Sequence, residues 1–189
     1  QIHDVFIKRS KKKSVFLCLE YSGISMMAGV AFMVALLILV YITSRQPAGE
    51  ELFERYYECY PAMAQERSGG GASGSDLQRA LMHYRNQQWE QAGQYFNKKL
   101  NQEPDDGMAH FYLGMVFLEM GREEQALEHL LRTIELHHPL FTEQARWYAG
   151  LALIRTGEYA RAEKYLTLIV QQQMWHDEKA RKILRKIGQ

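Results

Sequence analysis

The sequence predicts an all-α protein: a single N-terminal transmembrane helix, then an α-solenoid of about three helical hairpins closed by a C-terminal cap helix. Three observations predict it. An uncharged apolar run extends from Ile24 to Ile42. A self-similar pattern places the small residues Ala92, Ala126 and Ala162 at spacings of 34 and 36. From Asp76 onward no segment alternates apolar and polar as a half-buried strand does, while Pro104, Gly121, Pro139 and Gly157 fall where helical patterns stop.

The apolar run, ISMMAGVAFMVALLILVYI, has 19 positions without charge or proline. At about 1.5 Å rise per residue it matches a hydrocarbon core of about 30 Å, where only a helix satisfies its own backbone hydrogen bonds. Tyr21 and Tyr41 stand at its ends, where amphipathic rings prefer the interface. It is too long for the apolar region of a cleaved signal peptide, and TSRQPAGE after it has no A-x-A-like site. The expectation is a basic segment over 1–20 and a membrane helix over 21–43. Lys8, Arg9, Lys11, Lys12 and Lys13 lie before the run, whereas Arg45 is followed by Glu50, Glu51 and Glu54. The positive-inside bias therefore expects a single-pass inner-membrane protein with its N-terminus in the cytoplasm and residues 45–189 across the membrane. Ser25/Gly29 and Ala31/Ala35 are small-xxx-small pairs that let two such helices approach, so a homo-oligomer stays open. Cys18 and Cys59 flank the run and cannot pair within one chain that spans a bilayer. Net charge is +1, which gives no reason to expect nucleic acid as a partner.

Residues 50–63, EELFERYYECYPAM, carry Leu52, Phe53, Tyr56, Tyr57 and Tyr60 at helical spacing, with Pro61 ending the pattern. A short aromatic amphipathic helix is expected over 50–63. Residues 64–75 contain the Gly/Ser stretch SGGGASGS and read as a flexible linker, leaving 76–189 as the repeat domain with its cap.

The repeats explain their own residue types. Two antiparallel helices must meet closely at one crossing, so Gly114 and Gly150 are expected against Ala126 and Ala162. The hairpin turns take Gly121 and Gly157, which tolerate positive φ. The first repeat is degenerate: Ala80 holds the glycine position and Arg79 stands where leucine is expected. Two extra residues fall between repeats two and three, in HHPLFTE, so a longer loop is expected there, with His137 and His138 solvated. The last segment, HDEKARKILRKI, is apolar on one face and reads as the cap that such arrays require. The period of 34 and the pattern of LG, aromatic, Ala, aromatic and Pro resemble the tetratricopeptide repeat over residues 76–173.

In a stack of that kind the first helix of each hairpin lines the concave face. The register assigns to a partner-binding groove Leu77, Leu81, Tyr84, Phe111, Met115, Leu118, Trp147, Leu151 and Ile154, with Arg85, Arg146 and Arg155 as candidate charged clamps. Nine large apolar side chains exceed what a soluble monomer leaves bare. Three covers are open: a self-capping helix built from Leu52, Phe53, Tyr56, Tyr57 and Tyr60, a partner's segment, or packing between the hairpins themselves. No catalytic motif is present: there is no G-x-S-x-G, H-E-x-x-H or P-loop. Glu123, Glu124 and Glu128 read as solvated helix surface, and His83, His110, His129 and His176 as scattered. No enzyme activity, cofactor or metal site is expected.

ELFERYYECYP after a membrane helix, a Gly/Ser linker, then FYLGMVFLEMGREEQALEHL and FTEQARWYAGLALIRTGEYARAEKYL together resemble membrane-anchored tetratricopeptide repeat proteins of Bacteroidetes-type bacteria. In that family the segment is LFxxYYxPYP-like; Cys59 stands here for the first proline. The resemblance implies an inner-membrane protein with periplasmic repeats and supplies no reaction. Many such proteins carry a longer cytoplasmic region resembling anti-sigma proteins; the roughly 20 residues before the span here do not support sigma binding. The functional expectation is an interaction scaffold docking a membrane or envelope complex subunit. The alternatives are a peptide receptor of the import-receptor type and an anti-sigma-like regulatory membrane protein.

Overall fold

A computed structural model describes residues 30–38, 49–63 and 75–188, which fall into two units. In the first, residues 30–38 form a helix with every side chain exposed, among them Phe32 and Leu37. The basic segment 1–20, the rest of the expected span 21–43 and most of the linker 64–75 lie outside the described residues. Among the described residues no helix is long and apolar enough to cross a membrane.

The second unit is built from helices, with no strand among its described residues. A short helix, α1 (residues 49–56), precedes an irregular stretch over 57–63. Then come α2 (Asp76–Arg85), α3 (Trp89–Gln102), α4 (Gly107–Glu119), α5 (Glu123–Glu135), α6 (Thr142–Arg155), α7 (Tyr159–Gln171) and α8 (Asp177–Ile187). Each helix from α2 on packs against the next, which makes three antiparallel hairpins and a final single helix. Their roles follow from composition. α4 buries nine residues around its circumference, including Phe111, Tyr112, Leu113 and Met115, and α6 buries Trp147, Tyr148, Leu151, Leu153 and Ile154. Helices apolar all round belong in the middle of a stack. α8 buries only Ala180 and Ile183 and turns lysines and arginines outward, as a terminal helix must.

Three congruent turns close the hairpins. The backbone N–H groups of Gln88, Arg122 and Glu158 reach back to the carbonyls of His83, Phe117 and Leu153 at 2.9, 2.9 and 2.8 Å. The residue before each has positive φ: Gln87 (57°), Gly121 (66°) and Gly157 (78°). At the crossings Ala92, Ala126 and Ala162 have no exposed surface. A Cβ on Gly114 would lie 2.8 Å from Leu130 Cγ, and one on Gly150 would lie 3.1 Å from Leu166 Cδ2. The helices are in contact where the side chains are smallest, which fixes the hairpin angle.

Two expectations are corrected. The aromatic helix stops at Tyr56, and residues 57–63 are not helical. Proline disfavours helical backbone at Tyr60, and the carbonyls of Glu58, Tyr60 and Pro61 accept from tyrosine side chains instead of helical N–H groups. The longer loop, residues 136–141, is present, and His137 is exposed. His138, however, is half-buried: its ring packs 4.9 Å from that of Phe141 and its Nδ1 accepts from the Leu140 N–H at 3.2 Å. Burial holds its pKa below the usual histidine value.

Candidate functional site

The groove is already occupied, by residues 49–63 of the same chain. α1 enters at the end of α6: a Cβ on Gly49 would fall 2.3 Å from the Ile154 carbonyl oxygen, so only glycine fits there. Next to it the Glu50 carboxylate accepts two hydrogen bonds from Arg155, both 2.8 Å. Arg155 also pairs with Glu123 at 2.9 Å and lies 4.6 Å above the Phe53 ring. Such a fork is geometrically selective for a carboxylate. Leu52 and Phe53 are buried, and Phe53 stacks on Tyr57 at 4.6 Å.

From Tyr57 the chain is no longer helical, and three tyrosines of the solenoid grip its backbone. Tyr148 donates to the Glu58 carbonyl (2.7 Å), Tyr84 to that of Tyr60 (2.7 Å) and Tyr112 to that of Pro61 (3.1 Å). The Met63 N–H returns a bond to the Tyr112 hydroxyl at 2.9 Å. These contacts read backbone groups and not side chains. Burial raises the pKa of all three phenols, that of Tyr112 to about 12, so they remain donors at any physiological pH.

Side-chain contacts are fewer. Tyr60 lies among the rings of Phe111, Phe141, Tyr148 and Trp175, with centroids 5.1, 6.1, 6.4 and 6.1 Å away and steep interplanar angles. This edge-to-face arrangement is the favoured one for aromatic quadrupoles. Tyr57 donates to Glu119 Oε1 at 2.6 Å, and burial, followed by that carboxylate, drives its phenol far above the usual value. Cys59 Sγ lies 3.2 Å from the Tyr84 hydroxyl. The Tyr84 proton is committed to the Tyr60 carbonyl, so the thiol is the donor. Burial pushes that thiol up to about 11, which keeps it protonated and unreactive at neutral pH.

Of the nine residues assigned to the groove, Leu77 is half-buried and the other eight are buried. Tyr84 and Phe111 touch the segment directly. Trp147 packs on His176, 4.8 Å between rings, against the cap helix. Leu81, Met115, Leu118, Leu151 and Ile154 lie in the shared core. From the segment's side Leu52 and Phe53 are buried and Tyr56, Tyr57 and Tyr60 half-buried against that core. Among the arginines, Arg155 reaches the segment, whereas Arg146 points to Met174 Sδ at 3.8 Å. Glu123, expected on a solvated face, is one of the partners of Arg155 with its side chain only 16% exposed.

Sequence reasoning missed Tyr112, Glu119, Phe141, Tyr148 and Trp175. The signal for two of them was present: Tyr112 and Tyr148 are 36 apart, the same step as Gly114 and Gly150. The scattered histidines were also misread. His110 and His129 meet between α4 and α5 with Nδ1 atoms 2.9 Å apart, and His110 Nε2 lies 2.9 Å from the Pro104 carbonyl. Among the described residues no group of three or more His, Cys, Asp or Glu side chains converges as a metal site.

A stack of antiparallel helical hairpins, with a segment of the same chain packed across α2, α4 and α6, is a helical-repeat solenoid. The Tetratricopeptide repeat family matches residues 77–139 and again 118–174, so residues 77–174, 98 of 189, are covered. The chain belongs to the tetratricopeptide repeat family. No curated protein matches the sequence.

Proposed function

We propose that this chain is a membrane-anchored interaction scaffold, without catalysis of its own, whose repeat domain docks a protein partner in an envelope complex. One observation carries the docking role: the face formed by α2, α4 and α6 holds a non-helical polypeptide segment through tyrosine hydroxyls on its carbonyls and an aromatic pocket for one side chain. The anchor rests on the run Ile24–Ile42, of which residues 30–38 are helical with apolar side chains exposed on every face. The basic residues before that run favour a cytoplasmic N-terminus and periplasmic repeats.

The groove test uses the full chain in detergent. A Tyr57→Ala/Tyr60→Ala variant weakens the tethered segment, and a fluorescent peptide of residues 49–63 is then added. Saturable binding is expected for the variant and much weaker binding for the wild type, because a short flexible tether holds its own segment at an effective concentration of about a millimolar. A folded variant that takes up no peptide would remove the docking role. Grip on backbone carbonyls also favours a peptide receptor of the import type, which would place the repeats in the cytosol. Protease accessibility of residues 76–189 in intact cells, against the same cells made permeable, separates the two.

A further inference from the structure

Resting on the reading of the groove as a docking site, we infer that residues 49–63 stand in for a segment of another protein. That segment is a short helix with a carboxylate at its start and apolar side chains two and three residues after it, continuing into a non-helical stretch with a tyrosine seven residues after the carboxylate and a second aromatic side chain ten residues after it. The groove itself states this chemistry. Three carbonyls and one N–H are gripped without regard to side chain. Discrimination falls at Gly49, where only glycine fits beside the Ile154 carbonyl; at the buried Leu52 and Phe53; at the Arg155 fork, which takes the Glu50 carboxylate; at Glu119, which takes a hydroxyl donor at Tyr57; and in the ring pocket around Tyr60. Between them Glu51, Glu54, Arg55 and Glu58 are exposed, so their identities are free to differ in a partner.

The segment is also separable from the solenoid. α2 is terminated without it: Ser75 Oγ accepts from the Gln78 N–H and the Gln78 side chain accepts from the Ser75 N–H, a complete capping box. Departure of residues 49–63 leaves no helix end of α2 unsatisfied. It does bare Tyr84, Phe111, Phe141 and Tyr148, each at most 3% exposed with the segment in place. The groove is therefore exchanged and not emptied: a partner must supply an equivalent segment as the tethered one leaves.

The test has two arms on the full chain in detergent. In the first, a protease site placed in the linker is cut, which leaves every groove residue native and removes the tether. The probes are the 49–63 peptide, a minimal peptide keeping only the residues matching Gly49, Glu50, Leu52, Phe53, Tyr57 and Tyr60 on a Gln/Ser background, and the 49–63 peptide with Glu50→Lys or with Tyr60→Ala. The minimal peptide is expected within about tenfold of the 49–63 peptide, and each altered peptide about tenfold or more weaker. Arg155→Glu should invert the preference at Glu50, binding the Lys peptide better than the Glu peptide, which a merely structural arginine would not do. Equal binding of all four peptides overturns this inference while leaving the groove a docking site; binding of none overturns both. In the second arm the mass of the uncut chain is measured by native mass spectrometry with and without Tyr60→Ala. A monomer in both cases is expected. A dimer that Tyr60→Ala dissolves would make a second copy of this chain the occupant and overturn the inference.

Discussion

Tyr60 is central to the groove's closure, since five rings from α4, the 136–141 loop, α6 and the loop before α8 converge on it and its carbonyl anchors Tyr84. Truncating it to alanine removes a half-buried aromatic ring, and a loss of about 2 kcal/mol in urea unfolding is expected, with helix content unchanged. Tyr57→Phe keeps the ring but leaves Glu119 without its donor, costing about 1–2 kcal/mol by the same measurement. The glycines separate two causes. A Cβ at Gly121 meets nothing within 4 Å, so Gly121→Ala is expected to cost about 1 kcal/mol through its φ of 66° alone. At Gly114 the helix is unstrained and the added methyl instead drives Leu130 aside, so Gly114→Leu collapses the α4/α5 crossing and lowers the thermal midpoint far more. The glycine and alanine positions were legible because spacing encodes them. The partners of Tyr57 and Glu123 were not, because Glu119 and Arg155 come from other helices and no local pattern marks them.

Among the elements, α4 and α6 were easiest to read, since a helix apolar on all sides has few places to go. The stretch 57–63 was hardest: Tyr56, Tyr57 and Tyr60 keep helical spacing, yet three tyrosines supplied from distant helices take its carbonyls and hold it out of a helix. Tertiary donors outvoted local periodicity. The α4/α5 pair carries a pH response. The Pro104 carbonyl requires a proton on His110 Nε2, and the two Nδ1 atoms at 2.9 Å share one more. A doubly charged pair therefore places two N–H groups head to head. Burial, and secondarily His110, lower the His129 pKa from 6.5 to about 4. A histidine depressed in the folded state supports stability above its unfolded value and loses that support as pH falls from about 6.5 through about 4. The urea midpoint is expected to fall over that window, and His129→Gln should flatten the fall; an equally steep fall in the variant would assign the response elsewhere.

At the scale of the molecule, the repeat count, the longer connection between the second and third hairpins and the cap follow from periodicity, whereas the fate of the apolar groove face does not. The sequence left three covers open for it, because burial of nine apolar residues says that something covers them and not what. Side-chain geometry brings in residues 49–63, held at Arg155, Glu119 and three carbonyls along their length. The most direct measurement is a photocrosslink from p-benzoylphenylalanine at position 60 of the purified full chain, mapped by mass spectrometry. The account predicts an intrachain product joining position 60 to peptides containing Phe111, Phe141, Tyr148 or Trp175. Labelling confined to solvent, or to peptides outside α4, α6 and the loops that follow α5 and α7, would contradict it.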